Sequence, residues 1–285
     1  MKEVRFFYCP DIVSGFLPEE EARHALRVLR LGVGDELNLM DGRGSFFRAT
    51  ITATSGHRCA FAVDEQTTAE PEWSGHIHIA LAPTKNIDRI EWLAEKATEI
   101  GIDRLSLLNC QFSERTFVKT DRLERILVSA MKQSHKAWLP QLDDMQRFSD
   151  FISQEDLPPM RFIAHCYEMD DVGGGTKPLL SDLLLREAYQ HPKSIAQPND
   201  QSSSRSPLFN VHELLSEGEK CSMFNEHSSM FNGLVLIGPE GDFSVDEVRA
   251  AHAHGFRSVS LGTSRLRTET AALTAVHLMR LAASI

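Results

Sequence analysis

Two glycine loops and one arginine define the chemistry open to this chain. The segment Leu234–Ala275 reads LVLIGPEGDFSVDEVRAAHAHGFRSVSLGTSRLRTETAALTA. Apolar runs at Leu234–Ile237 and Val259–Leu261 each stop in a glycine loop and hand over to a helix. The first loop is Gly238-Pro239-Glu240-Gly241-Asp242, and the second runs from Leu261-Gly262 through Thr263, Ser264, Arg265 and Leu266 to Arg267. Glycine has no Cβ and tolerates positive φ, so a ligand can approach bare backbone at such a loop. The helix start behind each loop offers unpaired N–H groups. Two loops of this kind in tandem predict one shared pocket. Arg267 brings a fixed cation with forked donors. Glu269, two residues on, either orients that arginine or acts as a base; a carboxylate paired with an arginine is a weak base, which favours orientation. The alternative for both is a structural ion pair at the start of the last helix.

Several elements must position these loops. Ser244-Val245-Asp246-Glu247 forms a capping box and starts a helix directly behind the first loop. Thr268 or Thr270 is the expected cap of the last helix. Upstream, His76–Leu81 alternates as a strand, and its two histidines, without a third ligand, read as a polar strand face rather than a metal site. Asn86–Ile100 repeats apolar residues at helical spacing and stops at Gly101. Arg104–Asn109 reads as a strand, Leu123–Trp138 as a helix ended by Pro140, and Arg161–Ala164 as a strand. Strands alternating with helices imply an α/β fold with a parallel sheet. Residues 1 to about 70 read instead as short strands (Arg5–Tyr8, Glu36–Met40, Ser45–Ile51, Cys59–Val63) with turns at Asp41-Gly42 and Ser55-Gly56. One helix, Glu19–Arg30, interrupts them, acidic at its start and basic at its end. Its arginines are either a solvated face or contacts to phosphates.

The chain has 285 residues, enough for one large domain or two ordinary ones. No stretch approaches the roughly 20 apolar residues that span a bilayer, and the N-terminus lacks a secretory pattern. Five scattered cysteines, never spaced as CxxC, argue against disulfides or zinc and fit a reducing cytoplasm. The net charge is −10, awkward for a nucleic-acid binder. Residues 168–230 hold five lysines and arginines against ten carboxylates, half of that excess. That segment also carries Gly173-Gly174-Gly175, Pro178, Pro192, Pro198 and the polar run Gln197–Ser206. It reads as a partly mobile insertion with short helices at Leu179–Tyr189 and Val211–Leu215. Any footprint on RNA must therefore be a local patch.

IGPEGDFSVDE followed by LGTSRLRTETA resembles the RsmE type of the SPOUT methyltransferases. The resemblance continues through Pro83-Thr84-Lys85, Arg89-Ile90-Glu91, Lys96–Gly101, Ser113-Glu114-Arg115, Gln133-Ser134 and Pro140. It covers most of the chain outside 168–230. It implies a PUA-like RNA-binding domain over 1–72, carried by HALRVLRLGVGDEL. It implies a SPOUT methyltransferase domain with a trefoil-knotted parallel sheet over 73–285. The implied activity is S-adenosylmethionine-dependent methylation of N3 of a uridine in 16S ribosomal RNA of the small subunit. The implied enzyme is a homodimer whose site borrows from both subunits, without metal or membrane.

Carried onto this sequence, the resemblance assigns cofactor binding to Thr84, Leu236, Gly238, Pro239, Glu240, Gly241, Leu261, Gly262 and Leu266. It assigns RNA contacts to Arg23, Arg27, Arg30, Arg43, Lys85 and Arg115, and catalysis to Arg267 and Glu269. Uridine N3 holds a proton and is a poor nucleophile until that proton leaves, so a base or stabilisation of the ring oxygens is required. Arg267 suits the second task; the base stays unassigned, with Glu240 and Glu114 as candidates. Three positions depart from the family pattern. Asp242 replaces a glycine, Ser264 an arginine that Arg265 can stand in for, and Lys136 an arginine. Other SPOUT activities, on transfer RNA or a 2′-hydroxyl, and a non-catalytic ribosome-assembly protein remain alternatives.

Overall fold

A computed structural model describes residues 5–190 and 231–284. The expected helix at 211–215 and the polar run at 197–206 lie outside them, as does the mobility expected there. The first unit is a four-stranded sheet, β1 (Phe6–Tyr8), β2 (Glu36–Met40), β3 (Ser45–Ser55) and β4 (Arg58–Thr68), in that order. β1 pairs parallel with β2, and the other neighbours are antiparallel. The β3–β4 hairpin is longer than its apolar core predicts, because exposed threonines and charged residues extend both strands beyond the buried part. The helix expected over 19–30 is regular only as α1 (Glu19–Arg23) and continues as a π turn over His24–Val28. Ala22 and Ala25 bury its inner side. Arg30 ends it at φ 58.

The larger unit is a parallel sheet between two helical layers. Its central strands are β5 (Gly75–Leu81), β6 (Arg104–Asn109), β9 (Met160–Ala164), β10 (Phe231–Ile237) and β11 (Arg257–Val259). The short β7 (Gln141–Leu142) and β8 (Gln146–Arg147) both pair with β6. The strand order is β11-β9-β10-β5-β6-β7. Every pairing is parallel. Alternate strand residues face opposite layers. Ile77, Ile79, Leu81, Val235 and Ile237 pack toward α2 (Ile87–Ile100), α3 (Asp121–Gln133) and α7 (Thr268–Ala282). Ala80, Leu234, Leu236 and Ile163 face α4 (Phe148–Ile152) and α6 (Val245–Ala253).

The helix boundaries follow local chemistry. In α2 the Asn86 side chain accepts from the Asp88 N–H, and Ile90, Leu93, Ala94 and Ala97 are buried. α3 stops at Gln133, short of the expected Trp138. His135 takes φ 57, and Trp138 turns away to pair with Arg43 of the first unit. That junction is close: a Cβ on Gly44 would lie 2.8 Å from the Trp138 ring, and Lys132 Nζ sits 2.5 Å from Glu21. Lys136 at the same junction is buried and reaches Glu72 at 2.8 Å.

The beginning of segment 168–230 is not peripheral, contrary to expectation. α5 (Leu180–Gln190) puts Leu180 and Leu184 into the same core as α7. The chain before it pairs with the end of β11, since Leu180 N–H donates to Ser260 O at 2.9 Å and Ser260 N–H to Pro178 O at 2.9 Å. Proline and glycine content marked this stretch as a loop; two leucines one helical turn apart decide that it is core.

The capping box at α6 forms as its sequence predicts. Ser244 Oγ accepts from Glu247 N–H, and Glu247 Oε2 accepts from Ser244 N–H at 2.8 Å. Glu247 Oε1 also accepts from Gln111 N–H at 2.8 Å. Ser244→Ala is expected to cost about 1 kcal/mol, read as a lower midpoint in urea unfolding with an unchanged slope.

Candidate functional site

Register brings the loops together. Ile237 of β10 lies level with Leu81 of β5 and Ala164 of β9, and Ala164 lies level with Val259 of β11. The carboxyl ends of these strands therefore share one edge, the usual place for a ligand in an open α/β sheet. The loops leaving that edge surround a cavity of about 830 Å³. Gly238, Pro239, Glu240, Leu261, Gly262, Leu266 and Arg267 line it, as their sequence positions predict. Gly262 has φ 122, and a Cβ there would meet no atom of the described residues within 4 Å. The backbone at that point is open to a ligand.

Hydrogen bonds between loops fix the cradle. Asp242 stands at φ 68, a left-handed conformation that favours glycine. Its carboxylate offsets that cost, accepting from Cys166 N–H and Phe243 N–H, each at 2.8 Å. One bond ties the loop after β10 to the loop after β9. Tyr167 Oη donates to Phe243 O at 2.8 Å, and Lys177 Nζ to Tyr167 O at 2.6 Å. Thr268 Oγ donates to Gly238 O at 3.2 Å and so joins the start of α7 to the first glycine loop. Neither threonine caps α7: Arg267 is the cap residue, with no side-chain bond.

Three expected cofactor residues fall outside the cavity. Leu236 is buried on the opposite face of the sheet, against α6, while its neighbour Ile237 lines the cavity. The two-residue period of a strand makes this an either-or choice. Thr84 is buried, and its hydroxyl donates back to Asn86 O at 2.8 Å. Gly241 is exposed beside Phe112, and Asp242 takes its place in the wall.

The Arg267–Glu269 pairing does not form. Glu269 is buried at the first turn of α7 and turns to α2, where its Oε1 lies 3.7 Å from Arg89 Nε. Arg89 also reaches Glu240 at 3.4 Å. It joins the first loop to α7, a role that its place in the motif did not reveal. Arg267 is exposed, lines the main cavity and an adjoining one of about 330 Å³, and makes no ion pair with a described residue. Lys85 meets Glu114 at 3.0 Å. Arg115 donates to the carbonyls of Thr84 at 3.2 Å and Lys85 at 2.5 Å, and thereby shapes that loop. In the first unit Arg23 pairs with Glu19 at 3.1 Å, Arg27 contacts His57 at 3.2 Å, and the Arg43 backbone bridges to Trp138.

The sequence reading missed the end of β9. His165, Cys166, Glu168 and Lys177 line the cavity. His165 Nε2 lies 2.7 Å from Ser258 Oγ, and His252 Nε2 lies 2.7 Å from the same oxygen. Burial, then the nearby Lys177, pushes His165 down to about 4, so its ring is neutral near pH 7. Its Nδ1 is buried with no hydrogen-bond partner among the described residues. No motif flagged this residue, because its strand is short and its loop is not glycine-rich.

The family model described as an RNA methyltransferase domain matches residues 71–180 and 189–280. The chain belongs to this RNA methyltransferase family. The model for the RNA methyltransferase PUA domain matches 17–64, within the four-stranded unit. A probable rRNA-methyltransferase of Porphyromonas gingivalis is 37% identical, with TM-score 0.75 and 99% of each chain covered. A putative methyltransferase of Legionella pneumophila, solved with the bound cofactor SAM, is 23% identical with TM-score 0.69 and 98% of each chain covered, a likeness of fold. The ribosomal RNA small subunit methyltransferase E of Rickettsia conorii is 23% identical over 269 residues, which cover 93% of this chain and 88% of the relative. Among the described residues no group of three histidines, cysteines or carboxylates is placed to hold a metal, and no helix is long and apolar enough to cross a membrane.

Asp242→Ala removes both acceptor bonds and keeps the left-handed backbone. A loss of about 2 kcal/mol or more is expected in chemical denaturation. Asp242→Gly relieves the backbone and loses only the bonds, so it is expected to fall between wild type and Ala.

Proposed function

We propose that this chain is an RsmE-type enzyme that methylates N3 of a uridine in 16S ribosomal RNA, with S-adenosylmethionine as donor. The observation that carries this reading is the convergence of both glycine loops and the end of β9 on one cavity, with the Arg267 guanidinium at its wall. Membership of the RNA methyltransferase family supports the chemistry. The names of the small-subunit relatives support the substrate. The cavity suits an adenosine-containing ligand: it combines bare backbone at Gly262, apolar wall at Ile237, Leu261 and Leu266, and an unsatisfied buried nitrogen on His165.

When bound, the donor supplies an electrophilic sulfonium methyl. The remaining work belongs to the chain. The backbone around Gly238 and Gly262 would hold the nucleoside, with Leu261 and Leu266 against its apolar faces. Correct placement alone supplies much of the acceleration of a methyl transfer. Arg267, free of ion pairs with described residues, would stabilise negative charge on the uracil oxygens as the N3 proton leaves. Glu240 and Glu114, the earlier candidates for base, are held in ion pairs with Arg89 and Lys85. Glu269 would set the position of Arg89 and through it the first loop. We assign residues 1–72 to RNA binding and 73–285 to methyl transfer, in a homodimer acting in the cytoplasm on the small subunit. Arg23, Arg27 and Arg30 present the phosphate-binding face, joined by Arg43 and Lys85.

Three measurements test the reading. Primer extension on ribosomal RNA from a deletion strain is expected to lose one stop, because N3 methylation blocks Watson–Crick pairing; an unchanged pattern sinks the proposal. Arg267→Ala is expected to lower methylation at least 100-fold while the melting temperature stays at the wild-type value. Arg27→Ala is expected to weaken RNA binding with a salt slope reduced by about 1. Unchanged affinity at low salt would move the RNA face elsewhere.

A further inference from the structure

β9 lies between β10 and β11 in the sheet. A ligand touching both glycine loops must therefore cross the end of β9, and the residue there is His165. The residue is only 7% exposed, yet it lines the cavity, and its Nδ1 has no hydrogen-bond partner among the described residues. A buried nitrogen left unpaired carries a desolvation cost that a ligand atom would remove.

The other side of the ring says what that atom is. Ser258 Oγ carries one proton and has an imidazole nitrogen 2.7 Å away on each side. Its single proton can serve only one of them, so at least one histidine donates to it. If it donates to His165, Nδ1 bears the ring proton and is a donor. If it accepts, Nδ1 is a bare lone pair. Both arrangements are neutral and differ in the tautomer of each histidine. The ligand group that matches both is one that donates and accepts, a hydroxyl rather than a carboxylate or an ammonium. On an adenosine-based methyl donor that means the ribose.

We propose that His165 Nδ1 hydrogen-bonds a ribose hydroxyl of the methyl donor, and that Ser258 and His252 hold the ring in the orientation this requires. The inference rests on the methyl-donor reading above and adds a named contact to it. Lys177 and Asp242, which also line this wall, bear full charges and are left to the charged end of the ligand.

Two variants separate this from a merely structural histidine. In His165→Asn the amide sits where Nδ1 was, so the cavity keeps a polar atom and Ser258 loses one of its two histidine partners. In His165→Gln the amide sits where Nε2 was, so Ser258 keeps its partner and the cavity loses the polar atom. Calorimetry with S-adenosylhomocysteine is expected to show His165→Gln about tenfold weaker than wild type and His165→Asn within about twofold. The reverse order, or wild-type affinity in both, overturns the proposal. A second measurement needs no variant: wild type is expected to bind adenosine at least fivefold more tightly than 2′- or 3′-deoxyadenosine, and equal affinity for all three overturns it. A wild-type protein that binds S-adenosylhomocysteine with unaffected variants sinks this contact alone. One that binds no S-adenosylhomocysteine sinks the methyl-donor reading and this contact with it.

Discussion

Parallel pairing in level register is the constraint on which the site depends. β5, β9, β10 and β11 end together, with Ile237 opposite both Leu81 and Ala164, and Ala164 opposite Val259. Parallel strands pair through evenly spaced, slanted bonds, so a shift in one strand would move every residue of its loop by about 3.3 Å per position. A shift of a single residue would also exchange the two faces of that strand. The buried faces resist it: Val235 and Ile237 fit one helical layer, Leu234 and Leu236 the other. The hydrophobic core thus sets where Gly238 and Gly262 stand.

The loops themselves are held by polar bonds rather than packing. Asp242 reaches the loop after β9, Thr268 reaches Gly238, and Arg89 spans Glu240 and Glu269. Each bond joins segments far apart in sequence. Together they leave little freedom in the cradle, and a preformed cradle reduces the ordering cost of binding. The left-handed backbone at Asp242 belongs to the same device. A non-glycine residue keeps that conformation because its carboxylate clasps two N–H groups.

Much of this was legible in the chain. The bounds of α2 and β6 follow from apolar spacing and from Gly101, and the capping box at Ser244 from four residues. The two glycine loops identified half of the cavity wall. The failures share a cause. Leu236 and Ile237 are equally apolar, and only sheet pairing says which faces the ligand. Glu269 stands two residues after Arg267 in sequence, but the helix start turns it to Arg89. The leucines of α5 look like part of a variable loop until α7 is placed beside them.

The sequence by itself determined where backbone is bare, where helices start, and which cations are available, because glycine conformation, capping and periodicity act within a few residues. The tertiary structure alone decided that β9 enters between β10 and β11, and so that His165, Ser258 and His252, up to 93 positions apart in sequence, meet on one wall. Strand order and side-chain partners are fixed by contacts between distant segments, and no local pattern encodes them.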